Sequence, residues 1–273
     1  MYMAVRAART FKSNSYQPAA RKDRVIPLWV WLLVVLLLIW EIAGRTSNGG
    51  LLPPLSKVIL AWIDLMKSGE LPKALLTSLE PMFIGFFIAM IVAIPLGVLI
   101  GWYRWLEYLL DIYLDILISV PMAALVPVII MVFGIGTISR IIIIFLFSFV
   151  ITTVNTANGV KQVQNSLLEM AHSFHASERQ IFHKILIPSA MPMILSGVRL
   201  GFGRAIYGMV VAELLITSVG LGGLILQFNG EFRSDETFAV VLSIAIVAVL
   251  LLRLVQLAER YLVDSKYGRK GRV

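Results

Sequence analysis

VKQVQNSLLEMAHSFHASERQIFHKILIP, residues Val160–Pro188, is a polar, helix-patterned stretch set between two strongly apolar runs. It is too hydrophilic to cross a bilayer, and it holds all three histidines of the chain, His172, His175 and His183. A polar segment of this length between two apolar ones is offered to a partner. Its own apolar residues, Leu167, Leu168, Met170 and Ala171 beside Glu169, are more than a free loop carries.

Two pairs of residues divide the stretch. Ser166 with Glu169 and Ser177 with Gln180 both spell the S-x-x-E/Q capping box, in which a serine hydroxyl and an acid or amide three residues on satisfy each other's backbone N–H groups. They predict one short helix from Leu167 and a second that ends before Pro188, with a break around His175 and Ala176. Glu169, His172 and His175 have a spacing that could seat a cation. No further ligand set accompanies them, and a solvated helix face accounts for the trio, so no metal is assigned.

Outward from this segment the composition is that of an integral membrane protein: 59% hydrophobic, 15% charged, mean hydropathy +0.86. Six windows approach the roughly 20 apolar residues that cross a bilayer as helix, at about residues 26–43, 80–101, 110–133, 138–157, 189–217 and 238–258. The expected fold is an all-α polytopic membrane protein of six transmembrane helices, with a cytoplasmic helix-turn-helix between spans four and five. Short alternating segments of the barrel type are absent. The division is a basic tail at 1–25, a membrane domain at 26–260 that includes the polar segment 161–188, and a second basic tail at 261–273.

The formal charge of +8 reads as membrane orientation and not as nucleic-acid binding. Arg6, Arg9, Lys12, Arg21, Lys22, Arg24, Arg104, Lys161, Arg179, Lys184, Arg260, Lys266, Arg269, Lys270 and Arg272 fall on one side of such a topology. Arg45, Lys57, Lys67, Lys73, Arg140 and Arg233 fall on the other. Both termini and the polar segment are therefore expected in the cytoplasm. The apolar run from Ile26 to Ala43 is longer than a signal-peptide core and reads as an uncleaved anchor. The chain has no cysteine, which excludes disulfides and thiolate chemistry.

Between spans one and two the chain turns at Gly49, Gly50, Pro53 and Pro54. A short amphipathic helix then presents Leu55, Ile59, Trp62, Ile63 and Met66 on one face. Pro95, Gly97 and Gly101 mark span two. Pro121 and Pro127 predict a kinked span three, because a proline frees backbone carbonyls for neighbours or water. Gly197 and Gly201 form a small-xxx-small spacing for close helix approach on span five. The ionisable residues at membrane depth are Asp111, Asp115, Arg199, Arg204, Glu213 and Arg253. Glu107, Asp111 and Asp115 share a face that could pair with Arg199 or Arg204.

The pattern E-M-A-x-x-x-H-x9-I-x-I-P, Glu169 to Pro188, resembles the EAA loop of ATP-binding-cassette (ABC) transporter permeases, E-A-A-x-x-x-G-x9-I-x-L-P. The likeness runs outward through LLPP at Leu51–Pro54, SGEL at Ser68–Leu71, SLEPMFIGF from Ser78, VPMAALVPVIIMVFGIG at Val120–Gly136, NTANGV at Asn155–Val160 and SGVRLGFGRAIYGMVVAELL from Ser196. It resembles most the permeases of nitrate, sulfonate, taurine and thiamine-precursor importers.

That resemblance implies a permease of a bacterial inner membrane that works as two copies around a central pathway. It implies a cytoplasmic ABC ATPase docked on Leu168, Glu169, Met170, Ala171 and His175, and an extracytoplasmic solute-binding protein that meets residues 44–75 and 218–236. Pro121, Met122, Leu125 and Tyr207 are the candidate pathway residues. ATP would be bound by the partner, since the chain has no G-x-x-x-x-G-K-[ST] loop and needs no cofactor of its own. Two departures from the family pattern stand out: His175 where glycine is usual, and Ile118 where relatives often have an arginine. An ATP-independent carrier using Asp111 and Asp115 is the alternative. An intramembrane enzyme is disfavoured by the lack of any Cys, of a histidine at membrane depth and of a Ser–His pair within the spans.

Overall fold

The structure is a computed structural model that describes residues 28–47, 52–216 and 219–266. The N-terminal tail, residues 267–273 of the C-terminal tail and the turn at Gly49 and Gly50 lie outside the described residues, and α11 takes up the start of the C-terminal tail. Within them the chain is all-α: α1 Leu28–Thr46, α2 Leu55–Lys67, α3 Glu70–Trp102, α4 Arg104–Ser119, α5 Val126–Phe133, α6 Thr137–Lys161, α7 Asn165–Ser173, α8 Glu178–Ile181, α9 Ile187–Ile216, α10 Gly220–Gly230 and α11 Ser234–Lys266. Four helical stretches are long and apolar enough to span a membrane: Glu70–Trp102, Thr137–Lys161, Glu178–Ile216 and Ser234–Tyr261. α1 adds 19 apolar-rich residues whose side chains, such as Leu32, Leu36 and Ile39, are largely exposed to the surroundings.

α6 lies at the centre, packed on α3 along one side and α9 along the other. Small residues make this possible, since lipid supplies no hydrophobic drive between helices and close van der Waals approach must do so. A Cβ on Gly97 would come within 2.6 Å of the Thr153 carbonyl, and one on Gly101 within 2.5 Å of Val160. On the other side Gly197 and Gly201 face Asn155 and Thr152 of α6, so the small-xxx-small pair is a packing seam. α2, α10 and α11 cover the α3–α9 side, where Phe228 and Val240 are fully buried. α2 buries Val58 and Leu65, and its Trp62 Nε1 donates to Ser243 Oγ at 2.9 Å. Its packed face is thus rotated from the expected one: Ile59 and Met66 are outside.

The third predicted span is not a kinked helix. α4 ends at Ser119, the chain turns through extended Val120 and Pro121 and a 3₁₀ turn at Met122–Leu125, and α5 leaves at 92° to α4. Pro121 cannot continue α4, and it holds Val120 in the extended region. Pro127 does no bending. It sits in the first turn of α5, where its missing N–H has no helical acceptor to lose.

Candidate functional site

The polar segment folds as two helices joined at His175, but its two ends are built differently from expectation. α7 begins at Asn165, with extended Gln164 at the N-cap and no side-chain cap, so the Ser166–Glu169 box does not form. Ser166 lies inside the first turn and leaves Glu169 unengaged and exposed. The second box is present. Ser177 Oγ accepts from Gln180 N at 3.4 Å, and Gln180 Oε1 accepts from Ser177 N at 2.9 Å. Ser177→Ala should therefore cost about 1 kcal/mol in thermal unfolding, and Ser166→Ala close to nothing.

His175 has φ +54°, the left-handed region that the family's glycine would occupy. The chain tolerates histidine there because the turn is a complete Schellman closure. His175 N donates to the His172 carbonyl at 2.9 Å, and Ala176 N to the Ala171 carbonyl at 3.0 Å. His175 lies beyond the end of α7, so it shares no helix face with Glu169 and His172, and the spacing that could seat a cation is not kept.

Of the five residues expected to couple, the fold divides Leu168 and Ala171 from the rest. Ala171 is buried and Leu168 is half-buried against Val98, Val160, Leu186 and Ile194, a cluster that fixes α7 to the ends of α3, α6 and α9. Glu169, Met170 and His175 are exposed, and Phe174, which the sequence reading passed over, is 79% exposed. A phenylalanine at the C-cap beside a left-handed residue was the available signal.

The second helix does not stop before Pro188. α8 runs through a π turn at Phe182–Leu186 into α9, giving one helical stretch from Glu178 to Ile216. The π register resolves the conflict: Ile187 N reaches back to the Phe182 carbonyl, five residues away, so the ladder shifts just where proline removes a donor.

Farther along α9, Leu200, Arg204, Tyr207 and Leu215 form an exposed stripe, while Ala205, Ile206, Met209 and Ala212 are buried. The Tyr207 ring stands edge-on to Phe147, 5.4 Å between centroids. Arg204 lines a cavity of about 90 Å³ with Leu117, Ile118, Met122, Phe147, Val150 and Ile151. Met122 and Leu125 pack on Val126, Ile143, Phe147 and Ala212. The corner at Pro121 therefore brings Met122 and Leu125 onto the cluster that contains Phe147.

The other intramembrane charges separate. Arg199 lies 3.5 Å from Glu259 on α11, and Glu107 takes Lys161 at 2.8 Å, so the expected pairing of the α4 carboxylates with α9 is not formed. Asp111, Asp115 and Arg253 are exposed. Glu213 is 1% exposed and meets Arg140 at 3.5 Å. Its Oε2 accepts from Ser78 Oγ and Gly222 N, both at 2.9 Å, and Ser78 Oγ accepts in turn from Leu221 N at 2.9 Å. Arg140 is itself 5% exposed and donates to Thr137 Oγ1 at 3.0 Å. It had been counted with the outer loops; its burial depends on a carboxylate 73 residues away that no local pattern reveals.

Comparison with known proteins agrees with this architecture. Residues 93–266 match the family described as the binding-protein-dependent transport system inner membrane component. The putative aliphatic sulfonates transport permease protein SsuC of Bacillus subtilis is 32% identical over 88% of this chain and 88% of its own length. The taurine transport system permease protein TauC of Escherichia coli is 31% identical over 84% and 86%. The formylaminopyrimidine transport permease protein ThiX of Halalkalibacterium halodurans is 28% identical over 80% and 87%. A solved inward-facing MetNI methionine ABC transporter shares the fold, with a TM-score of 0.58 at 19% identity over 71% of this chain and 95% of that one. With a family match over more than half its length, the chain belongs to the binding-protein-dependent inner-membrane permeases of ABC transporters, as a multi-pass transport component and not an enzyme.

Proposed function

We propose that two copies of this chain form the pathway of an importer, driven through α7 and α8 by a separate ATPase that binds the ATP. The observation that carries this reading is the helical continuity of α8 with α9. Exposed Glu169, Met170, Phe174 and His175 sit on a two-helix element whose second helix continues into the helix that bears Arg204 and Tyr207. A docked ATPase dimer that closes on ATP would pull α8 and tilt that helix, a shift between two states by differential binding. The two-helix element on the cytoplasmic side supports six crossings, with α1 the first, the bent α4–α5 pair the third and both termini in the cytoplasm. The outer ends of α2 and α11, and Phe232, 87% exposed with φ +57° between α10 and α11, would then receive a solute-binding protein. The relatives' names point to small organic solutes. A carrier driven through Asp111 and Asp115 gains no support from their exposed surroundings.

The native chain lacks cysteine, so a single introduced thiol is a unique probe. Ser173→Cys on α7 should crosslink to the ATPase with a short bifunctional reagent, and Leu60→Cys on α2 should not. Crosslinking at neither position, in a complex that still co-purifies, would contradict docking at α7. Glu169→Gln should lower ATP-coupled uptake roughly tenfold, the effect of about 1.4 kcal/mol lost at the docked contact; parental uptake would show that the charge has no part in coupling.

A further inference from the structure

Arg204 poses a problem that the packing alone does not solve. It lies 15 residues after Ser189 and 12 before Ile216, about 22 Å and 18 Å along the helix from the two ends of the apolar part of α9. That is the middle of the bilayer, farther from either interface than an arginine can reach by snorkelling. Its side chain is on the unpacked stripe with Leu200 and Tyr207, and a guanidinium turned to lipid at this depth is costly. The face must therefore look onto water or onto protein. Among the described residues no carboxylate oxygen lies within 4 Å of Arg204, and it is the only charged group lining its cavity.

The cavity wall is otherwise apolar, with Leu117, Ile118 and Met122 from the α4 corner and Phe147, Val150 and Ile151 from α6. A lone cation on a low-dielectric wall attracts an anion far more strongly than the same charge in water, and it repels cations equally. The guanidinium fork matches the paired oxygens of a carboxylate or a sulfonate. Tyr207, one turn along the same stripe and 52% exposed, stands edge-on to Phe147 of the cavity wall. Ile118 and Leu117 bring no charge from α4 to this cavity, so its only charge comes from α9.

We propose that Arg204 is the specificity residue of the pathway: it holds an oxyanion group of the transported solute at mid-membrane and turns cationic solutes away. This rests on the permease reading above. The test is calorimetric titration of the purified permease–ATPase complex, in a neutral detergent free of anionic lipid, with sodium methanesulfonate and with methylammonium chloride at fixed ionic strength. The parent should bind methanesulfonate and not methylammonium. Arg204→Gln should weaken methanesulfonate by about tenfold or more, and Arg204→Lys should keep part of the affinity.

Unchanged binding in Arg204→Gln would overturn the proposal, as would no methanesulfonate binding by a parent complex that couples ATP to uptake. A third overturning result covers pairing of Arg204 with the other copy: Arg204→Gln and Asp115→Asn lower the melting temperature of the dimer equally and non-additively. Failure of the permease reading looks different, because uptake would then persist without ATP whatever Arg204 binds.

Discussion

Replacing Glu213 alone by leucine is expected to destabilise the membrane domain by about 3–5 kcal/mol, the usual effect of stranding one member of a buried ion pair. Arg140 would remain 5% exposed, with its charge unanswered inside the helix bundle. The loss extends beyond the pair. Glu213 Oε2 also accepts from Gly222 N and Ser78 Oγ, and these bonds tie the first turn of α10, where Gly220 has φ +74°, to α9 and α3. Gly222 packs so closely that a Cβ there would lie 2.5 Å from the Glu213 Cβ. One carboxylate thus ties α3, α6, α9 and α10 together at one end of the bundle. Removing both charges, as Arg140→Met with Glu213→Leu, should recover a large share of the loss, since apolar replacement of a whole buried pair is often neutral. Melting in detergent, followed by the monodisperse fraction, measures both. A single variant that melts with the parent would show the pair to be energetically idle.

Inserting two glycines between Leu186 and Ile187 is expected to leave ATP hydrolysis by the assembled complex intact and to abolish most uptake. The stretch Glu178–Ile216 is 39 residues, about 58 Å of helix, and it joins the α7–α8 element directly to the stripe bearing Arg204 and Tyr207. Each glycine costs about 1 kcal/mol of helix propensity, and together they turn a lever into a hinge. The α7 end stays anchored by Leu168 against Val98 and Val160, so docking survives while transmission does not. Uptake and hydrolysis falling in parallel would point instead to lost assembly.

The long apolar runs made α3, α6, α9 and α11 legible in the sequence, because nothing else accounts for such stretches, although α3 begins ten residues before position 80 and α11 runs eight past position 258, where polar turns extend the helices beyond the apolar windows. Gly197 and Gly201 were read correctly as a packing seam, since small residues at that spacing have few other uses in a span. Pro121 was ambiguous. A proline there is compatible with a kink or a corner, and the extended Val120 that settles it is a backbone state with no sequence mark. The Ser166–Glu169 pattern misled because a box needs the serine itself at the N-cap, and Gln164 took that place in extended conformation two residues earlier. Pro188 misled for a related reason: the rule that helices end before proline assumes a regular α ladder, and the π turn supplies another. Arg140 and Glu213 were each visible, but their pairing is a long-range fact.

The most direct test is uptake into proteoliposomes containing this chain, its ATPase and its solute-binding protein, with ATP or a non-hydrolysable analogue sealed on the ATPase side. Accumulation only with ATP, lost when the exposed surface of α7 is altered by Met170→Ala with Phe174→Ala while the fold melts as the parent does, is the predicted result. Equal uptake with the analogue, or uptake indifferent to α7, would contradict it.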